Sequence, residues 1–140
     1  MLKMLAAEFA IDSDDSDVVP EALALSNLMI ALATNRHYAY QSVGCLGVVE
    51  LTAPDRARAV AEGLRRLGIS PVGQRYYALH STLDVQHWKA WSQEVIAPLV
   101  TAQPELMRPI AEGALLRLSA GAKCFKRYRA HLWKGRLIPS

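Results

Sequence analysis

The sequence predicts an all-α fold, on three observations. Apolar residues recur at the helical period along most of the chain, prolines and glycines stand where helices start and stop, and no stretch alternates apolar and polar residues as a half-buried strand does. No internal repeat is present. Taken in order, "MLKMLAAEFA" reads as the end of a helix and "IDSDDSDVV" as a polar connector. Pro20 suits the first turn of a helix through "EALALSNLMIALAT", because the N–H it lacks would be unsatisfied there anyway. Around "NRHYAY" the chain either bends or continues into "QSVGCLGVVEL", where Gly44 and Gly47 permit close approach of another helix at some cost in helix propensity. That helix is expected to end at Thr52 or Ala53, ahead of Pro54. "PDRARAVAEGLRRLG" then opens a new helix on Pro54 and stops at Gly68. The next runs from about Gln74 to Leu99, with Pro98 near its end, and Pro104 starts a final helix reaching about Trp133. The expected organisation is residues 1–19 as a helix end plus acidic connector, 20–134 as one helical bundle domain, and 135–140 as a tail.

Composition narrows the function classes. A chain of 140 residues that is 51% hydrophobic is long enough for one domain with a core and too apolar for a disordered segment. Two cysteines, Cys45 and Cys124, make no disulfide framework, and neither belongs to a zinc-type pattern; a reducing cytoplasm is the expected compartment. The longest apolar run, Ala22 to Thr34, is too short for a membrane span and is broken by Ser26 and Asn27. The N-terminal apolar stretch is too brief for a signal peptide. The net charge of +3 is unevenly spread: Glu8, Asp12, Asp14, Asp15, Asp17 and Glu21 lie early, and Lys123, Lys126, Arg127, Arg129, Lys134 and Arg136 close the chain. These cations suit the negative end of a final helix dipole. No zinc finger, RNA-binding aromatic motif or helix-turn-helix signature accompanies them, so no nucleic-acid partner is expected.

The stretch "HSTLDVQH" carries the chemistry. At about 100° per residue, Asp84 falls about 40° to one side of His80 and His87 about 20° to the other, so all three share one helix face. Trp91 follows on that stripe and Tyr77 lies near its edge, which places ionisable groups beside large aromatics expected to be buried. Two imidazoles and a carboxylate form the ligand set of non-haem iron(II) sites, and helical bundles build such sites from facing helices with added glutamates. The competing reading is two ordinary boundary histidines and a solvated acid. Glu50 bears on the choice. It is an acid in the apolar segment "VGCLGVVEL", on the stripe of Ala39, Val43, Leu46 and Gly47. If its helix packs antiparallel to that of His80, Glu50 could join the cluster as a fourth ligand; otherwise it escapes to water near the helix end.

The segments "LALSNLM", "GCLGVVELTAPDRARAVAEGLRRLG" and "YYALHSTLDVQHWKAW" resemble the haem-oxygenase-like diiron oxidases and oxygenases, known as iron-containing redox enzymes, over about residues 20–133. In that family a glutamate on one core helix is followed about thirty residues later by His-x3-Asp-x2-His, and these residues ligate iron. The resemblance assigns those roles to Glu50, His80, Asp84 and His87. It implies a haem-oxygenase-like helical bundle and one or two iron ions, with manganese as an alternative metal. The implied partners are O2 and a small organic substrate such as a fatty acid, an amine or an amino-acid derivative. The family takes a further glutamate and histidine from an earlier helix, and nothing before Glu50 supplies that pair. "MLKMLAAEFAID" looks like the tail of that helix, so the chain is expected to be the C-terminal part of the family's bundle, truncated at the N-terminus.

Tyr77, Trp91 and the surface around Gly44 and Gly47 are the expected substrate pocket, while Trp88 and Trp133 are expected to pack. Neither cysteine has a base motif beside it, so a catalytic thiol is not expected. Two other functions compete with an iron oxidase or oxygenase. One is a non-catalytic or split helical subunit needing a partner for the missing metal-ligand helix; a homodimer or a complementing chain is the expected assembly. The other is a metal-free thiaminase-like enzyme, for which Cys45 is the one candidate nucleophile.

Overall fold

Every secondary-structure element among the described residues is helical, as expected. The computed structural model describes residues 1–11 and 18–132, the last two by their backbone alone. Asp12, Asp14, Asp15 and Asp17 of the acidic connector, Trp133 at the expected end of the last helix, Lys134, and the tail from 135 with Arg136 lie outside the described residues. The helices are α1 (Leu2–Glu8), α2 (Pro20–Thr34), α3 (Ala39–Arg66), α4 (Pro71–Ala90), α5 (Ala97–Ala102) and α6 (Met107–Leu132). Single 3-10 turns at Arg36–Tyr38 and Pro104–Leu106 precede α3 and α6, and a π-helical segment, Trp91–Ile96, joins α4 to α5.

Local chemistry sets most boundaries. Asn35 ends α2 in an extended conformation, and its side chain accepts a hydrogen bond from the His37 N–H at 3.0 Å, which starts the turn into α3. At the other end of α3, Gly68 takes a positive φ of 74°, its N–H bonds the Arg65 carbonyl, and the Ile69 N–H reaches back to Leu64 at 3.1 Å. That is a Schellman closure, for which a residue without Cβ is favoured. Ser70 then caps α4 by accepting from the Gly73 N–H at 3.2 Å, with Pro71 in the first turn.

Two boundaries differ from the sequence expectation. Pro54 does not separate two helices; α3 runs through it for 28 residues. Pro54 removes the N–H that would serve the Glu50 carbonyl, and side-chain hydrogen bonds to the carbonyls on either side of Glu50 flank that turn. The Thr52 hydroxyl donates to the Val48 carbonyl at 2.7 Å, and Arg56 donates to the Thr52 carbonyl at 2.9 Å and to its hydroxyl at 2.7 Å. The helix expected over Gln74–Leu99 begins earlier, at Pro71, and is not α-helical throughout, because Trp91–Ile96 adopts the wider π turn before α5 resumes. Pro98, expected near a helix end, instead sits in the first turn of α5, where its missing N–H costs little.

The chain forms two compact units. One comprises Met1–Asp17 and Leu46–Leu106, the other Val18–Cys45 and Met107–Ser140. In the first, Val48, Ala57, Leu64 and Leu106 are buried, with Asp84 as a buried acid. Here α1 packs on α4, and Glu8 ties them together: its carboxylate accepts from the Ser70 N–H at 2.9 Å and from the Ser70 hydroxyl. In the second unit α2 packs on α6, and Leu32, Cys45, Ile110 and Cys124 are buried. Two glycines bring backbones together there. A Cβ on Gly44 would overlap the Ile110 carbonyl, and one on Gly113 would overlap the Gln41 carbonyl.

Candidate metal site

Asp84 sits on α4, about one turn after His80, and is buried, 4% exposed. His87 follows on the same face three residues later, and Glu50 faces them from α3. The His87 Nδ1 lies 3.3 Å from Glu50 Oε2 and 3.4 Å from Asp84 Oδ1. One ligand atom from each of Glu50, Asp84 and His87 falls within 4.8 Å of the others. The helix period brings Asp84 and His87 together; the packing of α3 on the same unit adds Glu50.

Burial grades across the group. Asp84 is enclosed, Glu50 is half-buried, and the His87 side chain is 56% exposed, so the cluster has an inner acidic wall and an outer imidazole. Glu50 Oε2 is shielded from solvent, yet no hydrogen-bond donor is aligned with it, because the 3.3 Å contact to His87 lacks hydrogen-bond geometry. A polar atom that has lost water without gaining a hydrogen bond costs about 1–3 kcal/mol. Two carboxylates and an imidazole nitrogen converging on one point, one of them short of a partner, fit a divalent transition-metal ion.

His80 is not drawn into that group of three. It lies half-buried one turn earlier on α4, where its Nδ1 is 2.7 Å from the Tyr76 carbonyl and its ring stacks on Tyr76, with centroids 4.1 Å apart and planes 30° apart. Nδ1 faces a carbonyl, so it donates, and Nε2 is the ring nitrogen left to offer a metal. Tyr76 was not singled out from the sequence. The available signal was its i, i+4 spacing from His80, which stacks two rings on one helix face. Tyr77 meets Tyr76 edge-on, with ring centroids 5.1 Å apart, and is half-buried.

Trp91, also half-buried, opens the π-helical segment and lies across Gly47. A Cβ on Gly47 would come 3.0 Å from the indole Cδ1 and Nε1 and 3.3 Å from Ile96. Gly47 precedes Glu50 by one helical turn, so Trp91 covers α3 beside the cluster. Gly44, the other glycine of the expected pocket surface, makes the contact with Ile110 described above. Trp88 is half-buried. Cys45 is 2% exposed, and burial pushes its thiol pKa up, with the Arg117 charge opposing only in part. A thiol so placed favours its neutral form, which is the opposite of an activated nucleophile.

The sequence model of a family described as iron-containing redox enzyme matches residues 1–122. The chain belongs to that family. No curated protein and no solved structure matches it significantly. The membership covers both halves of the cluster, α3 with Glu50 and α4 with Asp84 and His87, and it accords with the all-α, haem-oxygenase-like fold class expected from the sequence. Among the described residues, no helix is long and apolar enough to cross a membrane.

Proposed function

We propose that this chain is an iron-dependent oxidase or oxygenase acting on a small organic substrate, with Glu50, Asp84, His87 and His80 as its metal ligands. The observation that carries the reading is the convergence of Glu50 with Asp84 and His87, within a chain of the iron-containing redox enzyme family. Iron bound there would supply the redox chemistry, coupling reduction of O2 to oxidation of the substrate.

The protein residues would divide the remaining work. Glu50 and Asp84 offset the charge of a divalent cation, so the site binds without a large net charge inside the unit. Asp84, enclosed on α4, fixes the inner side of the site. His87, the most exposed member, stands where the site meets solvent. His80 stands about one turn away on the same helix, its Nδ1 engaged by the Tyr76 carbonyl, which leaves Nε2 as the nitrogen it would offer a metal. Trp91 over Gly47, with Tyr77 on the α4 side, limits water beside the ligands and offers an apolar surface to a substrate's hydrocarbon part.

The deciding measurement is iron and manganese content after anaerobic Fe(II) loading and desalting, for the wild type, His87→Ala and Asp84→Asn. The wild type should retain one or two ions per chain and the variants little. Equal retention in all three would sink the assignment.

A further inference from the structure

Helix α6 has two separate apolar faces. Ile110, Gly113, Gly121 and Cys124 turn inward and are buried. Roughly 120° away, at about 100° per residue, a second stripe runs through Ala111, Leu115, Leu118, Ala122 and Phe125. Its spacings alternate four, three, four and three residues, the a/d pattern of a coiled-coil seam. Leu115, Leu118 and Phe125 are 65%, 44% and 56% exposed. Large apolar side chains this exposed in one stripe mark an interaction surface rather than a solvated face.

We propose that this stripe is the interface between two copies of the chain, packed antiparallel across a two-fold axis near Ser119. The flanking charges select that arrangement. Counting the seam from Leu115, the e positions are Glu112, Ser119 and Lys126, and in an antiparallel pair e positions face e positions. With Ser119 at the axis, Glu112 stands opposite Lys126 of the partner subunit, and the symmetry repeats the pair. The same register sets Leu115 against Phe125 of the partner subunit and Leu118 against Ala122 of the partner subunit, a large residue meeting a small one. A parallel pairing would instead oppose Gly121 to Lys126 of the partner subunit and gain no charge pair. Within one chain Glu112 accepts from Arg108 at 3.1 Å, but Arg108 is 87% exposed, so that bond is weak enough to be shared. An isologous interface of this kind is the commonest route to a homodimer.

The seam covers about two heptads, roughly 20 Å at 1.5 Å per residue, so a dimer in about the micromolar range is expected. Sedimentation of the full chain at about 100 μM tests this, since that concentration lies well above such a dissociation constant. The wild type should have the mass of a dimer, and Leu118→Glu should halve it with unchanged far-UV circular dichroism, because Leu118 lies on the exposed side of α6. Lys126→Glu should weaken the dimer by roughly fivefold to tenfold, as expected when attractive pairs become repulsive ones, and Glu112→Lys combined with Lys126→Glu should restore it. A monomeric wild type, a dimer indifferent to Leu118→Glu, or a double swap that fails to restore what the single change removes would each overturn the proposal. So would a chain that assembles through α6 only with a different protein.

Discussion

Glu50 concentrates the functional argument in one atom. Its Oε2 is shielded and without a hydrogen bond while facing an imidazole and a second carboxylate. Glu50→Gln keeps the shape and removes the charge; it should lower metal affinity by roughly tenfold to a hundredfold, read as a displaced Fe(II) or Mn(II) titration, with helicity unchanged. At Glu8, two hydrogen bonds from Ser70 hold the carboxyl below the usual range near 4.5. A carboxylate whose pKa is lower in the folded state stabilises it above the unfolded value and stops doing so as pH falls through the folded value. Docking of α1 on α4 should therefore weaken below about pH 4.5, and amide exchange in α1 should lose this pH dependence in Glu8→Gln. That Asp84 and His87 lie together was legible in the sequence, because helical spacing fixes which side chains share a face. The sequence could not reveal that Glu8 holds Ser70, the cap of α4, from 62 positions away, nor that the Tyr76 carbonyl claims His80 Nδ1, since both depend on where side chains settle.

At the scale of elements, the sequence's punctuation was informative where it coincided with a hydrogen-bonding need. Gly68 and Ser70 ended and began helices because a left-handed residue and a side-chain acceptor are what those positions require. Pro54 misled because α3 continues past it at the loss of one backbone hydrogen bond, that of the Glu50 carbonyl, a cost a 28-residue helix tolerates. The π turn at Trp91–Ile96 has no sequence signal of its own at all. Gly44 and Gly113 offer a clean test of close packing. Gly44→Ala and Gly113→Ala should each destabilise by about 1–3 kcal/mol or more, read in urea unfolding, because the added methyl meets a backbone carbonyl that cannot rotate away. Ala at the exposed neighbour Leu46 should cost far less.

For the molecule as a whole, metal binding should appear as stability. A ligand that binds only the folded chain adds about 2.7 kcal/mol at a free concentration of one hundred times its dissociation constant. For a chain of this length that is a rise in Tm of about 5–10 °C, and His87→Ala should abolish it. The paired glycines of the second unit set a further condition on how that unit can move. Gly44 receives the Ile110 carbonyl and Gly113 receives that of Gln41, so the first turns of α3 and α6 interlock like a dovetail. Sliding α6 by one turn, about 5.4 Å, would put Arg117 where Gly113 now clears the Gln41 backbone. A one-turn slide of α6 along α3 is thereby opposed, and separation of these two helices is expected to proceed by a hinge that lifts one off the other.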